Sequence, residues 1–237
     1  MKIQIHFYVL FIITMSYCAQ QEISSLPFTS QNGQDRYVIE NFFKNSDGSI
    51  MTNGFFIEFG AYDGIKFSNT KILEMLGWKG ICIEPVPHVF TQLQKNRSCV
   101  CIQGCISDKA GTALFREIIG HEPLSGLSEK YDPRHSDLVE NYYRGTSTYY
   151  EVPCYCLSKI MLDYNINKID FLCIDTEGGE LDILKSLSDE ELEKIDVLCV
   201  EDNYGDPEFF KFLQSKNFRF ITRMTQDLIF RNNKYIQ

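Results

Sequence analysis

The stretch Gly54-Phe55-Phe56-Ile57-Glu58-Phe59-Gly60-Ala61-Tyr62-Asp63-Gly64 determines how the rest of the chain is organised. Its first half is a short run of aromatic and branched residues, which predicts a strand buried on both faces over about residues 55–60. The run ends at Gly60, and a helix is predicted to begin at Ser68, a suitable N-cap, and to extend to Leu76. A strand, a glycine turn and a helix together predict a nucleotide-type site, because bare backbone lets a ligand approach closely.

The residues of this turn favour one nucleotide cofactor over others. A dinucleotide-binding turn carries G-x-G-x-x-G and places a pyrophosphate on a helix N-terminus, whereas this turn reads Glu58-x-Gly60-x-x-x-Gly64. Carboxylates repel a pyrophosphate and attract a cation, and S-adenosylmethionine is cationic and has no phosphate. The predicted cofactor contacts in the turn are Glu58, Gly60, Ala61, Asp63 and Gly64. The alternative is a tight turn between a core strand and a helix that binds no ligand.

Length and charge restrict the classes of function. The 237 residues suit one α/β domain with a large core, and 44% of them are hydrophobic. The formal net charge is −9, the sequence pI is about 5.0, and the chain has no lysine- or arginine-rich block. A nucleic-acid partner is therefore not expected, because its phosphates need a basic footprint.

The N-terminal segment differs from the rest of the chain. Lys2 precedes an apolar run from Ile3 to Met15, and small residues follow near Cys18. This pattern predicts a signal peptide over residues 1–19, a domain over residues 28–237, and a protein of the secretory pathway or secreted from the cell. The run is too short for a comfortable bilayer span, so no stable membrane span is expected. If the segment is not used, a cytoplasmic protein is expected.

A secretory compartment would also affect the cysteines. Cys82, Cys173 and Cys199 lie in strand-like apolar runs, where a cysteine usually packs as a small hydrophobe. One or two disulfides are expected among the cysteines outside those runs, with no preferred pairing. These are Cys99, Cys101, Cys105, Cys154 and Cys156.

The next two predicted strands add cofactor contacts. The second strand, Gly80 to Pro85, ends in Glu84, twenty residues after Gly64, where Rossmann-like folds place a carboxylate on the ribose hydroxyls. The third strand runs over about residues 99–103, and the turn after it predicts that Ser107 or Asp108 contacts the adenine. The alternative for Glu84 is a solvated residue at the end of a strand.

Periodicity weakens between residues 112 and 150. Short strands are predicted over residues 112–116 and 149–156, with a tyrosine-rich polar stretch between them. A long insert of this kind is often a lid or substrate loop. A solvated loop is an equally good interpretation.

The fourth strand, over residues 169–175, leads into a group of acids, with Asp175, Glu177 and Glu180 at its exit. The C-terminal edge of an open α/β sheet is where such folds keep their sites. A fifth strand over residues 197–201 ends in Asp202 and Asn203. A helix over residues 207–215 and two further strands, which predict an antiparallel hairpin, complete the chain.

These motifs resemble those of the FkbM-type methyltransferases. The matching segments, in order, are Ser30-Gln31 with Gly33-Gln34-Asp35, Phe55 to Gly64, Phe67-Ser68-Asn69-Thr70, Gly77-Trp78-Lys79-Gly80, Ile83-Glu84-Pro85, and Ile169 to Leu184 with its Asp175-x-Glu177-Gly178-x-Glu180. The resemblance implies an α/β, Rossmann-like class I methyltransferase fold. Such a fold has a seven-stranded, mostly parallel sheet, a C-terminal antiparallel hairpin and, here, an insert before the fourth strand. The implied reaction is S-adenosylmethionine-dependent O-methylation of a sugar or glycan hydroxyl.

Within that reaction, Asp175 and Glu177 are the candidates for the general base, with Glu180 orienting them. A second mechanism places Mg²⁺ on Asp175, Asp202 and Asn203, an arrangement similar to the magnesium site of catechol O-methyltransferases. The main rival is a non-catalytic secretory-pathway protein that keeps a methyltransferase fold. A nicotinamide-dependent oxidoreductase is disfavoured because G-x-G-x-x-G is missing.

Overall fold

The predicted strand at residues 55–60 lies within a seven-stranded sheet in the computed structural model, which describes residues 25–144 and 146–236. In chain order the strands are β1 (Phe55–Phe59), β2 (Lys79–Glu84), β3 (Val100–Gln103), β4 (Cys105–Ile106), β5 (Gly111–Ile119), β6 (Gly126–Leu127), β7 (Thr146–Tyr155), β8 (Ile169–Ile174), β9 (Ile195–Glu201), β10 (Phe218–Met224) and β11 (Asp227–Asn232). The main sheet has the order β10-β11-β9-β8-β1-β2-β3. Its strands are parallel except β11, which is antiparallel to both neighbours.

Helices cover both faces of this sheet. Within the described residues they are α1 (Gln34–Asn41), α2 (Lys71–Met75), α3 (Pro87–Asn96), α4 (Pro133–Leu138), α5 (Leu157–Asp163), α6 (Glu180–Lys185), α7 (Asp189–Leu192) and α8 (Pro207–Ser215), with a π-helix at Val139–Tyr143 and 3₁₀ turns at Glu122–Leu124 and Asn233–Tyr235. Ser188 begins α7 with the reciprocal side-chain bonds of a capping box to Glu191. The fold is thus the class I methyltransferase fold that the resemblance implied.

Alternation along the strands divides the core into two layers. In β1, Ile57 and Phe59 pack on one side of the sheet with α5 to α8, whereas Phe56 packs on the other side with α1 to α3. Each of these three side chains is at most 1% exposed. Because a strand places successive side chains on opposite faces, a strand that is apolar throughout requires helices on both sides.

The insert forms a second sheet with the order β4-β7-β5-β6. The two strands predicted there are β5 and β7, and both are longer than predicted because they pair along nine successive positions, from Gly111–Cys154 to Ile119–Thr146. Val86, the residue before α3, and Val89 within α3 pack against Phe115, Leu127 and Val152 of this second sheet. Several successive residues at the start of β5 and of β7 are exposed or half-buried, so the apolar and polar residues there do not alternate as in a strand with one buried face.

Two sequence predictions need correction, and a third concerns residues that the structure does not describe. Helix α2 begins at Lys71 rather than at Ser68, because the backbone turns at Phe67 (φ 64°), although the Ser68 hydroxyl still accepts the amide hydrogens of Thr70 and Lys71. The eight cysteines of the described residues are free thiols, so the expected disulfides are not formed. The predicted signal segment lies outside the described residues.

The longest described helix, α3, has ten residues, and no helix in this part of the chain has the length and apolar character of a bilayer span.

Candidate active site

A cavity of about 350 Å³ opens at the C-terminal ends of β1, β2, β8 and β9. Seven carboxylate side chains line it: Glu58, Glu84, Glu122, Asp175, Glu177, Glu201 and Asp227. Among the described residues that line it there is neither lysine nor arginine, and the single histidine is His135. The cavity is therefore rich in carboxyl groups without basic partners of the described lining, which suits a cationic ligand and gives an anionic one no counter-charge.

The turn after β1 is in close backbone contact with the exit of β8. Gly60 has a φ of 70°, and a Cβ added to it would lie 2.0 Å from the backbone oxygen of Asp175. The next residue, Ala61, is 1% exposed, and its amide donates to the carbonyl of Ile83 at 3.1 Å. Glycine is required here both by the left-handed backbone and by the close approach.

Glu58 lies at the cavity wall, yet its carboxylate is occupied by protein groups. It accepts hydrogen bonds from the Ser68 hydroxyl at 2.9 Å, the Asn69 amide at 2.6 Å and the Thr70 hydroxyl at 2.6 Å. The guanidinium of Arg97, whose side chain is fully buried, lies 3.3 Å away. Glu58 thus holds the turn in place, and sequence reasoning missed Arg97 because it is 39 residues distant.

Asp63 and Gly64 do not line the cavity. The Asp63 carboxylate accepts the amide hydrogens of Ile65 and Lys66 at 2.8 and 2.7 Å and so closes its own turn. Gly64 has a φ of 80°, and a Cβ there would lie 2.7 Å from the side chains of Leu93 and Arg97. Both residues shape the glycine turn, and direct contact with a cofactor stays a prediction.

Glu84 is placed as predicted, at the end of β2 on the cavity wall. Its two oxygens accept the amide hydrogens of Tyr62 at 3.0 Å and Val86 at 2.8 Å, which fixes the direction of the carboxylate. Burial nevertheless raises the pKa of Glu84 to about 7. An oriented carboxylate with free lone pairs can still accept hydrogen bonds from two hydroxyls.

Ser107 and Asp108 lie outside this cavity. The Ser107 hydroxyl donates to Asp108 at 3.1 Å, and the carboxylate of Asp108 pairs with Lys130 at 3.0 Å. Lys130 also pairs with Asp182 on α6 at 2.7 Å. Lys130 therefore links Asp108 to α6 of the main domain, and contact of Asp108 with an adenine ring stays a prediction.

Three carboxylates converge at the opposite end of the cavity. One oxygen each from Asp175, Glu177 and Glu201 lies within 4.8 Å of the others. Burial raises the pKa of Asp175 to about 8, and the charges of Asp227 and Glu180 add to the effect. Burial raises the pKa of Glu177 and of Glu201 as well, with Asp175 as the next cause. The sequence reasoning missed Glu201, although it is the last residue of a strand next to the acidic one.

Glu180 has a different position from its two predicted partners. One of its oxygens accepts the Thr176 amide at 3.2 Å, the Thr176 hydroxyl at 2.8 Å and the Gly178 amide at 2.8 Å. It does not line the main cavity. Glu180 thus orients the loop that carries Glu177, and acts on the two acids through that backbone.

The predicted metal ligands do not meet in one cavity. Asp202 is 4% exposed, pairs with Arg223 and accepts the Asp206 amide at 2.8 Å, and it does not line the main cavity. Asn203 does line it, and its side-chain amide donates to Glu177 at 3.3 Å. Because Asp202 is already neutralised by an arginine, the set Asp175, Asp202 and Asn203 does not fit Mg²⁺.

The insert supplies one wall of the site. Its residues on the main cavity are Phe115, Glu122, Pro123, Leu124, Ser125, Leu127, His135, Leu138 and Tyr143. A second cavity of about 270 Å³ lies behind that wall, and the residues common to both cavities are His135, Glu177, Glu201, Asn203 and Tyr204. The insert is thus placed as a lid or substrate segment would be, and the converging acids can be reached from two sides.

Known proteins resemble this chain in family motif and fold. The family model for the methyltransferase FkbM domain matches residues 58–231. No curated protein matches the chain. A solved FkbM methyltransferase from Methylobacillus flagellatus KT is 12% identical, with a TM-score of 0.46, over 91% of this chain and 58% of that one.

A second solved structure is TrmK from M. capricolum in complex with S-adenosylhomocysteine. It is 12% identical, with a TM-score of 0.40, over 83% of this chain and 67% of that one.

Proposed function

We propose, on the premise that the chain belongs to the methyltransferase FkbM domain family, that it methylates a hydroxyl of a neutral sugar or glycan. The family and the fold are those of S-adenosylmethionine-dependent methyltransferases. What we add is the acceptor and the oxygen atom as the site of transfer.

The acidic cavity fits the cofactor. Gly60 leaves the backbone bare beside Asp175, and Glu84 points an oriented carboxylate into the cavity for the ribose hydroxyls. When bound, S-adenosylmethionine supplies a methyl group on a cationic sulfur, so that an oxygen–carbon bond forms as the carbon–sulfur bond breaks. Carboxylates without neighbouring lysine or arginine favour that cation over a phosphate-bearing nucleotide.

The single observation that carries the acceptor class is the charge of the lining. Seven carboxylates and, among the described residues, no lysine or arginine face the main cavity. A nucleic acid, a phosphorylated sugar or a sulfated glycan would meet these acids with no basic side chain of the described lining to neutralise its charge. A neutral polyol enters without that electrostatic cost and can hydrogen-bond to the same carboxylates.

The acids at the exit of β8 suit proton removal. A sugar hydroxyl is a weak acid, so its proton must be taken by a base held close to it as the bond forms. Asp175 lies beside the glycine turn, Glu177 follows it at the exit of β8, and their raised pKa values favour proton uptake.

Mg²⁺ was the second form of this mechanism in the sequence analysis. The pairing of Asp202 with Arg223 disfavours the predicted ligand set, because the arginine already neutralises that carboxylate. Chelation with EDTA tests directly whether methyl transfer needs a metal ion.

The experiment for the function has two parts. Calorimetric titration with S-adenosylhomocysteine should show binding, and its absence in folded protein would favour the non-catalytic alternative. Transfer of radiolabelled methyl groups should then occur to neutral oligosaccharides and not to RNA or sulfated glycans. Methylation of RNA in preference to neutral glycans would contradict the proposal.

We also propose that the protein enters the secretory pathway. The proposal depends on the N-terminal apolar run of the sequence. Made in secreting cells, the mature chain should begin near residues 19–21. N-terminal sequencing of an intracellular form that begins at Met1 would contradict it.

A further inference from the structure

His135 is a buried side chain with an unused nitrogen. It lies on α4 of the insert, is 4% exposed, and lines both cavities. Its buried Nε2 atom has no hydrogen-bond partner among residues 25–144 and 146–236, and it lies 3.4 Å from Oε2 of Glu177. Buried polar atoms without partners are rare, and one that points at an acid in a candidate site calls for an explanation.

The other ring nitrogen of His135 is already engaged. The backbone carbonyl of Leu124 accepts a hydrogen bond from the ring, and since Nε2 has no partner, Nδ1 is the donor. The neutral ring then has its lone pair on Nε2, which lies 3.4 Å from Oε2 of Glu177. Burial lowers the pKa of His135, which favours this neutral form.

Glu177 is held rigidly opposite this lone pair. Its backbone is left-handed, with a φ of 56°, a conformation that non-glycine residues adopt at a cost and mostly at functional sites. Its Oε2 accepts a hydrogen bond from the Asn203 side chain at 3.3 Å. While Glu177 is ionised, a carboxylate oxygen and the Nε2 lone pair face each other and no bond can form between them.

Protonation of Glu177 removes this mismatch. A hydroxyl proton on Oε2 can be donated to Nε2, so that the ring nitrogen gains the hydrogen bond that it lacks. The arrangement is therefore complementary to protonated Glu177, the form that proton uptake produces, and not to the ionised form. Interactions that exist only along the reaction are those that raise its rate.

We propose that His135 is a positioning residue that makes Glu177 the proton acceptor of methyl transfer. The acceptor hydroxyl loses its proton to Oε2 of Glu177 while its oxygen bonds to the methyl carbon, and the sulfur keeps the electron pair of the broken bond. His135 Nε2 accepts the new Oε2–H hydrogen bond. This inference depends on the proposed function, because it requires methyl transfer to an oxygen.

Two variants separate this role from a structural one. His135→Gln keeps a hydrogen-bond acceptor near the position of Nε2 and loses the Nδ1 donor, whereas His135→Asn keeps a donor near Nδ1 for Leu124 and loses Nε2. We expect His135→Gln to retain turnover within about fivefold and His135→Asn to lose it by roughly a hundredfold, the range for a disabled general base. Affinity for S-adenosylhomocysteine and KM for the acceptor should change little in both.

The reverse order would overturn the inference. If His135→Asn is active and His135→Gln is not, the ring acts only by holding Leu124, and equal activity of both variants contradicts a role for Nε2. His121→Asn and His121→Gln, also in the insert but outside both cavities, are the matched controls and should retain full activity. A wild-type protein that binds S-adenosylhomocysteine and methylates no hydroxyl would instead contradict the proposed function.

Discussion

A Cβ atom on Gly60 would lie 2.0 Å from the backbone oxygen of Asp175, so the glycine turn after β1 and the acidic exit of β8 are in direct backbone contact. The two residues follow neighbouring parallel strands whose register pairs Phe59 with Ile174. A shift of either strand would move the turn and the acid together. The predicted cofactor site and the predicted methyl-transfer site are thus in contact through the backbone atoms of Gly60 and Asp175.

This contact predicts that Gly60→Ala weakens cofactor binding. The new methyl group must displace either the turn or the Asp175 carbonyl, and we expect at least a tenfold loss of affinity for S-adenosylhomocysteine by calorimetry. Gly48→Ala is the matched control, since Gly48 has a φ of 87° with no atom within 4 Å of its added Cβ. Both variants incur the left-handed backbone cost of about 1–2 kcal/mol. Equal affinities in the two variants would show that the contact does not matter for binding.

The pKa of Glu84 predicts a pH-dependent stability. Burial raises the pKa of this carboxyl to about 7 in the fold, above the 4.5 of an exposed glutamate, so the folded protein binds the proton more tightly. That contribution is fully present below about pH 4.5 and is lost as the pH rises through about 7. The melting temperature of the cofactor-free protein should therefore fall between pH 5 and 8.

Glu84→Gln isolates this contribution from those of other acids, because the amide stays neutral at every pH. Its melting temperature should depend less on pH than that of the wild type over the same range. The variant should also bind S-adenosylhomocysteine roughly ten- to a hundredfold more weakly, as expected for a lost charge-assisted hydrogen bond. A pH dependence identical to that of the wild type would contradict the raised pKa.

Arg116 joins several parts of the insert, and its contacts predict the effect of replacing it. Its guanidinium donates to the hydroxyl of Ser136 at 2.8 Å, to the carboxylate of Glu140 at 3.0 Å and to the hydroxyl of Ser147 at 2.9 Å. A lysine cannot reproduce this fork. Arg116→Lys should lower turnover by about tenfold and speed proteolysis of the insert, with little effect on S-adenosylhomocysteine affinity. Arg219→Lys on the exposed face of β10 is the control, and equal behaviour of the two variants would rule out this anchoring role.

The elements that sequence predicted best carry their signals locally. Helix α8 spans Pro207–Ser215 as predicted, because Asp206 caps it, proline begins it and an apolar face follows. Strand β1 was equally clear, since five apolar or buried positions end at a glycine. Such segments need no knowledge of distant residues.

The site was predicted less well because its decisive contacts join distant parts of the chain. Spacing alone cannot distinguish Asp63, which closes its own turn, from Glu84, which faces the cavity. It cannot show that Arg223 neutralises Asp202. The pairing of His135 with Glu177 spans a weakly periodic insert, in which no local pattern marks a functional histidine.

The acids at the exit of β8 give the last prediction. Asp175→Asn and Glu177→Gln keep side-chain volume and remove the ability to take a proton, so each should cut turnover by roughly a hundredfold or more and leave S-adenosylhomocysteine affinity nearly intact. Asp202→Asn should instead lower the melting temperature, because it leaves the partly buried Arg223 without its ion pair. Since that pair occupies a predicted metal ligand, wild-type turnover should survive EDTA. Loss of turnover in EDTA that Mg²⁺ restores would show that the acids hold a metal, and normal turnover of both acid variants would show that the site assignment is wrong.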